Sequence, residues 1–149
     1  KKVDESRTPD ILFIERCLDL LKPGGRMAIV LPDGILGNNG LEYVRQYILN
    51  NADIVAIIDC PVESFLPSTD TKTSLLILKK KKREGLPQTF DTFMAIAKTC
   101  GHDRRGKEVY VRDENGDPVI VDGNAVIDND FVEITRRLVE HVKTRNIYN

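Results

Sequence analysis

Apolar residues recur at helical spacing near the start of the chain. Thr8-Pro9-Asp10 supplies a helix start, because threonine is a good N-cap, proline fits the first helical position and an acid favours the first turn. Lys22-Pro23-Gly24-Gly25 supplies a stop. Between them lies one apolar stripe with a spacing of three or four residues, formed by Ile11, Ile14, Leu18 and Leu21. This pattern predicts a helix from residue 8 to residue 21.

Three apolar runs predict strands, at residues 27–31, 54–58 and 73–78. The first two are almost uninterrupted, which is typical of strands buried on both faces of a parallel sheet. Residues 41–50, between these two runs, have the apolar spacing of a helix. The third run follows only a loop, so we expect it to return antiparallel to its predecessor. Alternating helices and strands with short connections predict a doubly wound α/β fold.

The character of the sequence changes after Gly85. Three further elements are predicted there: a strand at residues 93–97, a β-hairpin whose strands at 108–112 and 118–121 flank Asn115-Gly116, and an amphipathic helix at 130–144. We therefore divide the chain into an α/β part, residues 1–84, and a β-hairpin and helix extension, residues 85–149.

Bulk composition narrows the class of protein. Apolar residues make up 41% of the chain and charged residues 30%, as in soluble globular proteins. A net charge of -1 argues against a basic protein that coats nucleic acid, and no apolar run approaches the roughly 20 residues needed to cross a membrane. The 3 cysteines are widely spaced, which predicts reduced thiols in a cytoplasmic protein and neither a disulfide framework nor a metal site. The chain begins at Lys1 rather than at a methionine, which predicts a fragment or a processed product.

The residues by themselves leave the function open. The sequence contains no Walker loop, no HExxH motif and no GxSxG motif, and Gly34, Gly37 and Gly40 do not have the spacing of a dinucleotide fingerprint. The basic tract at residues 79–83 is interpreted as a solvated strand exit in preference to a phosphate-binding patch.

Two longer stretches resemble a known family. Residues 12–36, LFIERCLDLLKPGGRMAIVLPDGIL, join a helix, a Lys-Pro-Gly-Gly stop and a strand, as many S-adenosylmethionine-dependent methyltransferases do on entering the fifth strand of their sheet. Residues 44–82, VRQYILNNADIVAIIDCPVESFLPSTDTKTSLLILKKKK, resemble the N6-adenine DNA methyltransferases of type I restriction-modification systems, the modification subunits. FMAIAKTCGHDRRG, at residues 93–106, is similar to the segment that follows the catalytic domain in that family.

The resemblance implies a fold and a set of site residues. The fold is the C-terminal half of a Rossmann-like methyltransferase sheet, with two parallel strands, one antiparallel strand, flanking helices and a small β/α extension. Phe65 falls on the aromatic position that stacks on the flipped target adenine, although a loop phenylalanine is otherwise most often a packing residue. Pro32 and Asp33 lie at the exit of a central strand, where open α/β sheets bind ligands, or form an ordinary turn. Lys72 and Thr73 reach DNA phosphate or shape the base pocket, or are a solvated lysine and a strand threonine.

What the sequence lacks limits what the resemblance implies. The family's catalytic Asn/Asp-Pro-Pro-Phe/Tyr motif and its glycine-rich donor-binding turn are both absent. We therefore expect no catalytic and no cofactor-binding residue in this chain, and a donor site for S-adenosylmethionine mostly outside it. The resemblance implies double-stranded DNA, a specificity subunit and a restriction subunit as partners. Two alternatives stay open: a methyltransferase of the same fold acting on RNA or protein, and a non-catalytic α/β module that binds DNA or protein.

Overall fold

The computed structural model describes residues 8–148, so the expectation based on Lys1 lies outside the described residues. The elements follow the sequence pattern closely, with one short helix added after the first strand. In chain order they are α1 (Pro9–Leu20), β1 (Arg26–Pro32), α2 (Asp33–Gly37), α3 (Glu42–Asn51), β2 (Ala52–Asp59), β3 (Thr73–Lys80), β4 (Phe93–Ile96), β5 (Ile120–Val121), β6 (Asn124–Ala125) and α4 (Asp130–Thr144). Single 3-10 turns form at Asn39–Leu41 and Val62–Phe65.

Four strands form a mixed sheet in the order β1-β3-β2-β4. The start of β1 pairs with the end of β3, since the Lys80 amide donates to the Gly25 carbonyl at 2.8 Å. The end of β2 pairs with the start of β3 through the Cys60 amide and the Thr73 carbonyl at 3.0 Å, so β3 is antiparallel to both neighbours. The predicted antiparallel return from β2 is confirmed. The Ala97 amide just after β4 donates to Asp59 at the end of β2, which makes those two strands parallel. The α/β fold class with parallel strands is confirmed.

Helices α1 and α3 bury their apolar stripes in one core with β1, β2 and β3. The fully buried members of that core are Ile14, Leu18, Leu31, Ile35, Val44, Ile48, Ala52, Leu76 and Leu78. The prediction that β1 is buried on both faces is wrong, because Ala28 is exposed and Val30 is 44% exposed. β1 is an edge strand of the described sheet, and its side chains alternate between the core and the opposite face.

The basic tract is better ordered than a solvated strand exit. The Lys80 amine donates to the Leu18 carbonyl at 2.6 Å, in the last turn of α1. The Lys81 amine donates to the Leu49 carbonyl in the last turn of α3. Both lysines thus supply donors and positive charge to helix C-termini, which carry unpaired carbonyls and a partial negative charge. The interpretation of the tract as purely solvated is wrong for these two residues.

The chain divides into two compact units. The first holds the described residues up to Ile57 together with Ser74–Met94, and the second holds Ile58–Thr73 and the described residues from Ala95 onward. In the second unit the predicted turn forms, since the Asp113 carboxylate accepts from the amides of Asn115 and Asp117. Its flanking strands do not form a regular ladder.

The hairpin strands predicted at residues 108–112 and 118–121 are reduced to isolated contacts. A single antiparallel bridge joins Arg112 to Pro118, and the regular pairing moves to β5 and β6. The ladder is interrupted there because the Val111 amide donates to the Val126 carbonyl at 2.9 Å instead of to the partner strand. The C-terminal helix α4 has the predicted bounds, and Asn129 caps it by accepting from the Phe131 amide at 2.9 Å. No helix in the described residues is long and apolar enough to cross a membrane.

Candidate functional site

The exit of β1 is held by a hydrogen bond to the central strand β3. β1 ends at Pro32, and Asp33 opens the short helix α2. The Ser74 hydroxyl donates to Asp33 Oδ1 at 2.8 Å, and Ser74 is only 5% exposed. Asp33 is half-buried, and this bond fixes its carboxylate. An ordinary turn was the alternative interpretation of the sequence at this position.

Arg45 organises the loop that follows. Its guanidinium donates to the Ile35 carbonyl at 3.1 Å and to the Asn38 carbonyl at 2.7 Å. The Asn38 side chain in turn accepts from the Gly40 amide at 2.8 Å. The segment between α2 and α3 is therefore tied to α3 by one fixed side chain.

An open pocket of about 320 Å³ lies against this edge in the first unit. Its volume is at the low end of the range for small-molecule sites. Its lining combines apolar side chains with the Asp10 carboxylate and Tyr43, which is 44% exposed. The lining residues are Thr8, Asp10, Ile11, Pro32, Gly34, Ile35, Leu41 and Tyr43.

Phe65 lies in the second unit, on the loop between β2 and β3. The loop turns tightly there, since the amides of Ser68 and Thr69 both donate to the Phe65 carbonyl, at 2.9 and 3.1 Å. Phe65 is 40% exposed, in contrast to the residues of the core. The loop therefore fixes the backbone of Phe65 while part of the aromatic residue faces solvent.

Lys72 and Thr73 close the same loop. The Lys72 amine is 2.6 Å from Asp59 Oδ1 and donates to the Cys60 carbonyl at 2.5 Å. Thr73 is 7% exposed, and its buried hydroxyl has no hydrogen-bond partner within the described residues. Both side chains therefore lie at the foot of the loop, one half-exposed and one buried.

A second ion pair tethers the middle of the loop. Arg104 Nε lies 3.3 Å from Glu63 Oε1. The pKa of the Glu63 carboxyl is below its ordinary value, because its own backbone amide donates to it and the Arg104 guanidinium stabilises the charged form. Both groups are accessible to solvent, so the pair is screened by salt.

The predicted site residues thus fall into two groups. Pro32 and Asp33 belong to the first unit, where Pro32 lines the pocket and Asp33 is bound by Ser74. Phe65, Lys72 and Thr73 belong to the second unit and share one loop. Among residues 8–148, no group of three or more His, Cys, Asp or Glu side chains is arranged to hold a metal ion.

Comparison with known proteins identifies the family. The sequence model of the N-6 DNA methylase family matches residues 1–143. This chain belongs to the N-6 DNA methylase family. The Type I restriction enzyme EcoEI methylase subunit of Escherichia coli is 30% identical over 77 residues, which are 51% of this chain and 16% of that protein.

Two solved structures share the fold of this N-6 DNA methylase chain. The type I restriction enzyme EcoKI M protein has a TM-score of 0.53 and 23% identity, over 60% of this chain and 19% of its own. A chain from a structure on complex assembly and conformational transition of the type I R-M system has a TM-score of 0.54 and 19% identity, over 93% and 25%. At these identities the structures show the fold alone. The chain spans a quarter or less of the length of all three relatives.

A methyl-donor site of the glycine-rich type does not fit the β1 exit of this methylase chain. The turn from β1 into α2 contains one glycine, Gly34, and the neighbouring Asp33 carboxylate already accepts from Ser74. A glycine-rich turn uses several glycines to bring its backbone close to the ligand, and this turn has only Gly34.

Sequence reasoning missed Ser74, Asp59, Arg45 and Tyr43. Ser74 and Asp33 are 41 residues apart, and no local pattern connects them. Asp59 directly follows a predicted strand, as many turn residues do, so its pairing with Lys72 required the loop geometry. Tyr43 and Arg45 lie outside the apolar positions of a predicted helix. No local pattern links Tyr43 to the pocket or Arg45 to the loop carbonyls that it binds.

Proposed function

We propose that this chain is part of an N6-adenine DNA methyltransferase of a type I restriction-modification system. In the longer protein, the methyl group of S-adenosylmethionine passes to the exocyclic N6 amine of an adenine in duplex DNA. This chain supplies the strand exits and loops that receive the base, and by itself transfers no methyl group. Residues 1–84 form the C-terminal part of the methyltransferase domain, and residues 85–149 form an extension.

The observation that carries the proposal is the exposure of Phe65 on an ordered loop. An enzyme that acts on N6 must take the adenine out of the base stack, which costs a few kcal/mol of stacking and pairing. An aromatic face returns about 1–3 kcal/mol by stacking on the extruded base. A stacking platform must be accessible to the base, and its backbone must be held in place. Phe65 is 40% exposed and its carbonyl is fixed by two backbone hydrogen bonds, so it meets both requirements.

The other site residues have supporting roles in the proposal. Pro32 lines the open pocket at the β1 exit, and the carboxylate of the adjacent Asp33 is fixed by Ser74. Lys72 and Thr73 reach DNA phosphate or shape the base pocket. The partners of the longer protein are double-stranded DNA, a specificity subunit that selects the sequence, and a restriction subunit, and the protein works in the cytoplasm. The match to the N-6 DNA methylase family and the similarity to the type I EcoEI methylase subunit support this assignment.

The test compares paired and unpaired target adenines in the full-length natural protein that contains this sequence. Phe65→Ala is expected to lower the methylation rate at saturating duplex by about 5- to 150-fold, the equivalent of one lost stacking contact. The loss is expected to be smaller with an adenine opposite a mismatch or a gap, because extruding an unpaired base costs less free energy. Phe65→Tyr keeps the ring and should keep most of the rate, whereas Phe65→Leu keeps only the apolar packing and should behave like alanine. Equal losses on both substrates contradict the stacking role.

A second test addresses the alternatives. Calorimetry of the 149-residue chain with S-adenosylmethionine is expected to show no binding, and tight binding would refute the placement of the donor site outside the chain. An Asn-Pro-Pro-Phe/Tyr motif some tens of residues upstream in the gene supports the methyltransferase, whereas its absence supports a non-catalytic binding module. A methyltransferase that acts on RNA or protein predicts methylated products of those classes and none in duplex DNA.

A further inference from the structure

The loop that carries Phe65 is closed at its foot by one lysine. We call residues 60–72, between β2 and β3, the Phe65 loop. Its two ends are joined by the hydrogen bond from the Cys60 amide to the Thr73 carbonyl at 3.0 Å. The Lys72 amine adds two contacts across the same gap, to the Cys60 carbonyl at 2.5 Å and to Asp59 Oδ1 at 2.6 Å.

These two contacts balance the charge of the lysine within the protein. The side chains of Lys72 and Asp59 are 37% and 34% exposed, so water screens the pair in part and a simple surface ion pair there is worth little. The hydrogen bond to the Cys60 carbonyl holds Lys72 more strongly than a simple surface ion pair would. Cys60 is 5% exposed, and the lysine amine that donates to its carbonyl is charged. A lysine held by a carboxylate and a carbonyl has fewer donors available for a DNA phosphate.

A series of backbone turns connects the foot of the loop to Phe65. The Ser64 amide donates to the Pro61 carbonyl at 3.0 Å, and the Leu66 amide donates to the Glu63 carbonyl at 3.1 Å. Together with the two bonds to the Phe65 carbonyl, these form an almost continuous set of short turns. Pro61, at the start of the loop, is buried, so the loop has a fixed end from which these turns are built.

We propose that Lys72 and Asp59 are positioning residues that set the place of Phe65, and that Lys72 does not act by binding DNA phosphate. This inference rests on the proposed function, and it selects one of the two roles assigned to Lys72. The pair acts through the loop: opening the foot releases the turns and moves the aromatic platform away from the extruded base.

The test uses Lys72→Met, Asp59→Asn and the double variant in the full-length natural protein. The two single changes shift the net charge in opposite directions, by -1 and +1. A positioning pair predicts that both singles lower the methylation rate at saturating duplex by about 5- to 10-fold, and that the double variant is no worse than either single. The dependence of DNA affinity on salt is expected to keep its slope. Asp70→Asn on the same loop and Lys82→Met beyond β3 are the charge-matched controls, because both residues are exposed.

A phosphate contact predicts a different result. Lys72→Met then lowers the slope of log affinity against log salt by about one unit, while Asp59→Asn leaves the DNA affinity unchanged or raises it. That outcome overturns the positioning role.

A readout that does not need activity separates this inference from the proposed function. Hydrogen exchange of peptides within residues 61–71 is expected to accelerate in both single variants, with unchanged exchange in β1 and β3 as evidence that the fold is intact. Unchanged exchange in the loop overturns the positioning role even if methylation falls. If the wild-type protein methylates no adenine, the proposed function fails, and accelerated exchange still establishes the closure of the loop by Lys72 and Asp59.

Discussion

Replacing Ser74 with alanine removes the hydroxyl that donates to Asp33 Oδ1 across 2.8 Å. Hydrogen bonds to charged groups contribute about 1.5–3 kcal/mol to folding stability. Asp33 is half-buried, so water restores part of its solvation once the hydroxyl is gone. We therefore expect the low end of that range, a loss of about 1.5 kcal/mol, which corresponds to a fall in Tm of about 3–6 °C for a chain of this size.

Thr73 provides a matched control at the adjacent position. Its hydroxyl is also buried, but it has no hydrogen-bond partner within the described residues. Thr73→Val removes that oxygen and keeps the shape of the side chain, so its effect on stability is expected to be neutral or favourable. The same chemical change, loss of a hydroxyl, is thus expected to have different consequences at positions 73 and 74.

Urea unfolding of the 149-residue chain measures both effects, with midpoints compared at constant m-value. A double-mutant cycle of Ser74→Ala with Asp33→Ala isolates the bond, and we expect a coupling energy of about 1 kcal/mol or more. A coupling within about 0.3 kcal/mol of zero would show that the bond at the β1 exit contributes nothing, and the fixed position of Asp33 in the candidate site would lose its physical basis.

Five other substitutions test the packing and charge of the first unit. Leu76→Ala, at a fully buried position in β3, is expected to cost about 2–5 kcal/mol, whereas Leu20→Ala, at a residue that is 69% exposed, should stay within about 0.5 kcal/mol of wild type in the same urea assay. Gly25→Ala is expected to lower the Tm, because an added Cβ would lie 2.8 Å from a backbone carbonyl oxygen, while Gly34→Ala meets nothing within 4 Å and should be tolerated. Burial raises the pKa of Asp53 above its ordinary value of 3.8, against the opposing effect of Lys81 and Lys79, so the folded state keeps this proton to higher pH than the unfolded state. The resulting stabilisation is fully present below the unfolded pKa and is lost as pH rises through the folded pKa; Asp53→Asn should remove this component from a stability profile across acidic pH.

The pattern of apolar residues was sufficient to predict most of the elements. Helix α4 has the predicted bounds because its buried side recurs at strict helical spacing and Asn129 caps its start. Strands β1, β2 and β3 follow from apolar runs bounded by proline, glycine and charged residues. The short helix α2 was not predicted, since Pro32-Asp33-Gly34 has the composition of an ordinary turn, and its helical form depends on Ile35 being buried in the core.

The candidate site was predictable only where a family pattern marks a single residue. Phe65 was assigned through the resemblance. Its exposure on an ordered loop cannot be read from the sequence. The contacts that hold the site join residues far apart in sequence, such as Ser74 with Asp33, and their formation depends on which strands are neighbours. The strand order β1-β3-β2-β4 places β3 between two strands that precede it in the chain, and local periodicity carries no information on that order.

The β1 exit and the Phe65 loop are held by interactions of different strength. At the β1 exit a nearly buried hydroxyl binds a carboxylate, and salt has little effect on such a bond. The Phe65 loop is held by two ion pairs, Lys72–Asp59 and Arg104–Glu63, whose side chains are about a third or more exposed. Since salt screens exposed pairs, rising ionic strength should loosen the Phe65 loop while the β1 exit stays fixed. Segments that must adapt to a ligand are drawn from the least stable parts of a fold. In the proposed function the Phe65 loop is such a segment, whereas the β1 exit is a strand end anchored in the core.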